Sequence, residues 1–306
     1  MLKYTIKRVL MLIPTIIGIT LFIYLIMSFV PGDPAELLSP PEATAEEVEV
    51  LRAELGLDKP VLVQYVNYMW DILHGDFGVS WFTKQPFIDE IVNRMPYTLS
   101  LGVLSTLIAS IISIPLGTLT AVKHNTPADY IVTFLCLLFA AMPGFWLAII
   151  LQIYLSLQTG WFPAYGMGTM RHFVLPVIAV CAASVATNIR STRTWVLDVI
   201  RSDYVRTARA KGASEVVVIM KHALRNALLP IVTGFGSAFA GVLGGSVVIE
   251  TVFAIPGIST YLTSAVKTRD MPIIMGCILV ISVFVGVVNL LVDLMYSVID
   301  PRVKYE

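Results

Sequence analysis

Apolar residues run through this chain in long blocks rather than in the alternating or striped patterns of water-soluble elements. A helix rising 1.5 Å per residue needs about 20 apolar residues to cross a hydrocarbon core of about 30 Å. Six stretches meet or approach that length: 9–30, 99–122, 130–157, 173–188, 227–249 and 273–292. The fourth is short and holds Pro176, so its ends are the least sharply marked. The pattern predicts an all-α, polytopic membrane protein with six transmembrane helices. A long polar stretch, 31–96, separates the first two spans. Within it, Thr44-Ala45-Glu46-Glu47 has the form of a capping box and opens an amphipathic helix over 44–55. Further on, Tyr65, Tyr68, Met69 and Trp70 mark an aromatic segment expected at the membrane surface.

Composition agrees: 57% of residues are hydrophobic and 14% charged, against about 25% charged in a soluble domain. A formal net charge of zero argues against a nucleic-acid partner. The placement of charge orients the chain, because short cytoplasmic loops retain lysine and arginine. Between spans four and five stand Arg190, Arg193, Arg201, Arg206, Arg209, Lys211, Lys221 and Arg225, against Asp198, Asp203 and Glu215. That connection is expected inside, which puts Lys3, Lys7, Arg8, Lys123, Arg302 and Lys304, and so both termini, in the cytoplasm. Residues 31–96 then lie outside, and their first half is acidic. The first apolar run exceeds a signal-peptide core and is followed by Pro31-Gly32-Asp33-Pro34 rather than a cleavage site, so it reads as an uncleaved span.

Candidate chemistry is sparse. No lysine is both preceded by glycine and followed by serine or threonine, so the phosphate cradle of a P-loop is missing. None of the six spans has a central ionisable residue of the kind proton-coupled carriers use; Asp293 falls at the inner end of the last. Paired aspartates or a His-Glu-x-x-His zinc motif, as in an intramembrane protease, do not occur. His74, His124, His172 and His222 are isolated, and Cys136, Cys181 and Cys277 read as small buried hydrophobes. No metal site is expected. A stand-alone channel or secondary carrier is the alternative of another class.

The most specific feature is the basic connection, with Asp203-Tyr204-Val205-Arg206-Thr207-Ala208-Arg209-Ala210-Lys211-Gly212-Ala213-Ser214-Glu215, then His222-Ala223-Leu224-Arg225-Asn226-Ala227-Leu228-Leu229-Pro230. It predicts helix, turn, helix, with Gly212 as terminator and the second helix feeding span five. An ordinary positive-inside loop would explain the charges but not the pattern from Gly212 to Pro230. This segment resembles the coupling motif of ABC-importer permeases, in the dipeptide, oligopeptide and nickel group. Pro31-Gly32-Asp33-Pro34, Leu55-Gly56-Leu57-Asp58-Lys59-Pro60, His74-Gly75-Asp76-Phe77-Gly78 and Val248-Ile249-Glu250-Thr251-Val252-Phe253-Ala254-Ile255-Pro256-Gly257-Ile258 resemble the first, B-type permease of such importers.

The resemblance implies a type I ABC-importer permease fold, with residues 1–30 as first segment and span, 31–97 as an extracytoplasmic insertion and 98–306 as a five-helix core whose coupling loop is 190–226. It implies a homologous second permease, two ATPase subunits or domains that carry ATP and magnesium, and an extracytoplasmic binding protein, in a bacterial or archaeal cytoplasmic membrane. This chain itself would bind no cofactor and catalyse nothing. Gly212, Ala213, Ser214 and Glu215 become candidates for the ATPase contact, with Arg206, Thr207 and Ala208 standing where the general pattern has Glu-Ala-Ala. Ser259 stands where the family usually has glycine. Peptides are the expected cargo, with nickel, a metal chelate or glutathione as alternatives.

Pro256 and Gly257 break helix at the outer end of span five, and irregular backbone at membrane depth survives only when buried or lining a wet cavity. An outer gate is expected there, with Glu250 and Phe253, Glu250 facing the path or lying as a surface carboxylate. Pro143-Gly144 and Pro115 are expected to kink spans three and two. Gly234, Gly236, Gly241, Gly244 and Gly245 in span five serve either close packing or motion.

Overall fold

The computed structural model describes residues 2–299; the tail residues Arg302 and Lys304 lie outside them. Among the described residues every regular element is helical, apart from an isolated bridge between Val79 and Pro86. In chain order the helices are α1 (Leu2–Phe29), α2 (Pro34–Leu38), α3 (Ala45–Glu54), α4 (Val61–Leu73), α5 (Phe87–Val122), α6 (Pro127–Ala141), α7 (Gly144–Leu151), α8 (Arg171–Ile200), α9 (Asp203–Ala210), α10 (Glu215–Val217), α11 (Arg225–Gly245), α12 (Val247–Val252), α13 (Ile258–Thr268) and α14 (Met271–Ile299). A π-helical stretch, Gln152–Gln158, continues α7, and another, Val218–Leu224, joins α10 to α11 in one continuous helix.

Among the described residues five helices are long and apolar enough to cross a membrane: Thr5–Phe29, Phe87–Val122, Arg171–Ile200, Glu215–Val242 and Met271–Met295. A sixth candidate is a bent helix pair, which passes the same test only when its two halves are taken together. Where the sequence predicts one span over 130–157 kinked at Pro143-Gly144, α6 and the helix beginning at Gly144 meet at 94°. Pro143 has no N–H to offer the preceding turn, and its ring drives the residue before it out of the helical region. Met142 accordingly sits at φ −79°, ψ 124°. The fourth helix is longer than its apolar run, 30 residues in place of 173–188, because Ile189, Thr192 and Val196 keep one face buried beyond the run. The fifth starts at Glu215 rather than 227 and stops at Gly245, with Ser246 separating it from α12.

The chain divides into two compact units. In lipid the hydrophobic effect does not draw helices together; close approach through small residues and polar contacts do that work. In the unit built on Tyr97–Pro256 with the chain ends, α6, α7 and α11 pack on α8. A Cβ at Gly117 would lie 2.8 Å from the Ile189 carbonyl oxygen, and one at Gly234 would lie 2.7 Å from the Trp195 ring. Leu101, Ala148, Leu175, Phe253 and Ile255 form its largest core cluster.

The other unit, Ile6–Pro96 with Gly257–Gly286, packs α4 and the start of α5 against parts of α1, α13 and α14, while α2 packs on α3. Its core gathers Phe87, Ile91, Ile258, Ile273, Ile274 and Cys277. The expected capping box is present: Thr44 Oγ1 accepts from Glu47 N–H at 3.3 Å, and the Glu47 carboxylate accepts from Thr44 N–H at 2.7 Å. Arg269 donates to the carbonyls of Val30, Pro31 and Gly32, which fixes the turn after α1. Of the expected surface aromatics, Tyr65 is buried, Tyr68 and Met69 pack beside it, and Trp70 is exposed.

Candidate functional site

The basic connection is helix, turn and helix, as its residues predict. Ser202 stands outside the helical region at ψ 153° and α9 follows it. Val205 is the buried residue of α9, which rests on the π stretch Val218–Leu224 and on α8. The end of α9 is a Schellman motif. Lys211 is its last half-helical residue and Gly212 takes φ +82°. Gly212 N–H donates to the Arg209 carbonyl at 2.9 Å and Ala213 N–H to the Ala208 carbonyl at 3.3 Å, which satisfies two carbonyls the helix leaves open. A Cβ at Gly212 would meet nothing within 4 Å, so the glycine is there for its backbone angle and not for want of space.

Ser214 returns to extended backbone and starts the next helix, and Arg209 Nε reaches back to Glu215 Oε1 at 3.0 Å. Thr207 Oγ1 donates to the Asp203 carbonyl at 2.9 Å, Arg206 is exposed 3.8 Å from Asp203, and Ala208 is half-buried. Beyond the turn, Val218 and Ala223 are buried while Val216, Val217 and Met220 are exposed. The same stretch of sequence carries the exposed cations Arg206, Arg209, Lys211 and Lys221.

A second constellation lies toward the other end of α11. Gly144, Ala179, Ala183, Gly241, Gly245 and Ser246 are among the residues lining an open groove of about 340 Å³. Cβ atoms at Gly241, Gly244 and Gly245 would meet nothing, whereas Gly234 and Gly236 face Trp195 and Val292 closely. The glycines of span five thus divide into two packed and three open. Next to the groove, Glu250 is 0% exposed. Its Oε1 accepts from Thr98 Oγ1 at 2.9 Å and from Ser246 Oγ at 2.8 Å.

A second Schellman motif closes α12. Ala254 takes φ +51°, its N–H donates to the Thr251 carbonyl at 3.2 Å, and Ile255 N–H donates to the Glu250 carbonyl at 2.8 Å. The carbonyls of Val252 and Phe253 receive Gln152 Nε2 at 3.3 Å and Gly166 N–H at 2.9 Å. Gly257 is extended and caps α13, and Ser259 is buried in the first turn of that helix, where no positive φ is needed.

Arg206, Thr207 and Ala208 thus lie in the last turns of α9, and Gly212, Ala213 and Ser214 form the turn that leads to Glu215 at the start of α10. Pro143 and Gly144 stand at the α6–α7 break, with Gly144 on the groove. Glu250 and Phe253 lie inside the protein at the bend that leads to Pro256 and Gly257. Thr98, Ser246 and Gln152 were not singled out by sequence, since their partnership with α12 needs the fold. Nor was Asp129, which is buried. Its two oxygens receive Arg193 Nε and Nη2, each at 2.8 Å, and Asn125 N–H at 3.0 Å, with His124 Nδ1 3.3 Å away. A lone aspartate one residue ahead of an apolar run was the available signal; its arginine partner stood among the basic residues after the next run.

Comparison with known proteins places this geometry. Residues 113–305 match the family described as "Binding-protein-dependent transport system inner membrane component", and residues 1–102 match its N-terminal companion. The oligopeptide transport system permease protein AppB of Bacillus subtilis (strain 168) is 40% identical over 316 residues, 100% of each chain. The glutathione transport system permease protein GsiC of Escherichia coli (strain K12) is 40% identical over 306 residues, again 100% of each. The inward-facing MetNI methionine ABC transporter matches with a TM-score of 0.58 at 16% identity, over 70% of this chain and 97% of that one. An amino acid ABC transporter with histidines matches with a TM-score of 0.54 at 16% identity, over 71% and 95%. At such identity the likeness concerns the fold.

Proposed function

The chain belongs to the family of binding-protein-dependent transport-system inner membrane components, the permease subunits of ABC importers, and we propose that it carries peptides across a bacterial or archaeal cytoplasmic membrane with both termini inside. The names of its relatives support short peptides first and glutathione second. In this reading the chain pairs with a homologous permease. Two ATPase subunits, holding ATP and magnesium, bind on the cytoplasmic side, and a binding protein delivers cargo to the 31–97 insertion outside.

The observation that carries the proposal is the turn from α9 to Glu215. Its backbone is held by the Schellman bonds, and the bare Val216, Val217 and Met220 follow it directly. A rigid turn presenting an apolar patch transmits force, whereas a floppy loop absorbs it. From Glu215 the helix runs without a break to Gly245, so a displacement of the turn is handed along α11 to the groove and to Ser246. The groove, with Gly144 and the open glycines, would form one wall of the pathway, and the bend holding Glu250, Phe253, Pro256 and Gly257 would bound its outer end.

Alternating access then needs ligands that bind the two states unequally. ATP on the ATPases and the loaded binding protein would serve as those ligands. A cysteine at Val216 or Met220 tests the docking surface: cross-linking to a co-purified ATPase subunit is expected, and its absence with the assembly intact would refute the assignment.

A further inference from the structure

We propose that α4 is an interfacial helix whose outward stripe of Leu62, Val66, Trp70 and Leu73 is covered by lipid acyl chains of the leaflet nearest the Phe29 end of α1. The argument starts from how α4 is fastened. Tyr65 Oη donates to the Ile17 carbonyl at 3.1 Å and lies 2.9 Å from Thr20 Oγ1. Tyr24 Oη donates to Gln64 Oε1 at 2.9 Å, and the Tyr24 and Tyr65 rings meet edge-on at 5.7 Å. Ile17 is the midpoint of the span Thr5–Phe29. A helix whose tyrosine reaches the middle of a membrane span does not stand clear of the bilayer.

Three faces of α4 are distinguished by their surroundings. Val61, Tyr65 and Met69 pack with Leu21, Tyr24 and Met275. Gln64, Asn67 and Asp71 line a water-accessible cavity of about 210 Å³ together with Asp76 and Trp81. On the side opposite that polar face, Leu62 (60%), Val66 (61%), Trp70 (62%) and Leu73 (76%) are exposed. Their spacing of four, four and three puts them on one line of the helix. No residue from 61 to 70 is charged. The stripe lies on the helix that buries Tyr65 beside α1, whose own Ile17, Phe22, Ile26 and Phe29 are exposed. Apolar on one side and polar on the other, with a tryptophan among the apolar residues, is the composition of a helix lying in the interface. This set differs from the aromatics the sequence marks, two of which face the protein.

Spin labels at single cysteines in the full-length chain, purified with its partners and reconstituted in phospholipid vesicles, test the proposal. Val66→Cys is expected to show a severalfold higher ratio of collisions with oxygen, which concentrates in acyl chains, over a water-soluble nickel chelate than Glu49→Cys on α3. Asn67→Cys should behave like Glu49→Cys. A label at Val66→Cys open to the chelate overturns the proposal in favour of a wet surface, and one closed to both reagents overturns it in favour of a protein partner. Leu62→Cys reads the same stripe should Val66→Cys fail to fold.

Discussion

Thr98 and Glu250 stand 152 positions apart and share a 2.9 Å hydrogen bond inside the protein, the hydroxyl donating to the carboxylate. The bond ties α5 to α12, and the same oxygen also holds Ser246 at the break after α11. A single side chain therefore joins the end of the long helix that begins at the basic turn to the bend that follows it. Replacing Glu250 by alanine is expected to cost about 2–3 kcal/mol, since a buried polar contact and its packing are both lost. Glutamine keeps an acceptor in place and is expected to cost less than about 1 kcal/mol. Thermal unfolding in detergent measures both, and equal losses would show that charge, not acceptance, is what the site requires.

Gly212 and Ala254 occupy the same position in two Schellman motifs, one with glycine and one without. A left-handed conformation costs a residue with a Cβ about 1–2 kcal/mol. Ala254→Gly is therefore expected to stabilise the protein by about 1 kcal/mol. At Gly212, where nothing crowds a side chain, asparagine is expected to retain transport and leucine to abolish it with the protein still in the membrane. Undiminished uptake by Gly212→Leu would remove the turn from the mechanism.

Arg193 and Asp129 form a two-pronged pair in which the carboxylate is almost fully enclosed. Removing the guanidinium leaves a buried charge, and Arg193→Ala is expected to lose about 3 kcal/mol of stability. Lysine, a point charge without the fork, is expected to recover only part of it. Full recovery by lysine in the same unfolding assay would show that geometry is irrelevant to the pair.

Much of this was legible in residues taken one at a time. Gly212 as a helix terminator and Thr44 with Glu47 as a capping box are local chemistry, settled by neighbours within a few positions. The long apolar runs announce spans because length against bilayer thickness is a one-dimensional criterion. The 94° break at Pro143 was read only as a kink, since hydropathy sums residues without regard to direction. The extension of α8 to Ile200 was missed because a helix carrying Arg190 and Arg193 stops looking like a span while its other face stays buried. Contacts such as Gln152 with Val252, 100 residues on, exist only once the chain has folded.

The capping box yields a pH dependence. The backbone N–H of Thr44, and then its hydroxyl, hold the Glu47 carboxyl below the usual carboxylate range. A carboxyl whose folded pKa lies below its unfolded one stabilises the fold fully above the unfolded value, and that contribution fades as pH falls through the folded value. Glu47→Ala is expected to speed amide exchange across 45–54 at neutral pH, and the difference from the parent to shrink toward zero in acid. A difference that persists unchanged in acid would show that the ionised carboxylate is not what holds the start of this helix.

The central claim, that this permease moves cargo only when ATPases act on its turn, is tested most directly by purification and reconstitution. The tagged chain is extracted in mild detergent, its partners are identified by mass spectrometry, and uptake of a labelled short peptide into vesicles is measured with and without ATP. Recovery with a second permease and P-loop ATPases, and uptake that requires both ATP and the binding protein, is the expected result. A chain that purifies alone and moves the peptide without ATP would contradict it and make this protein a carrier or channel.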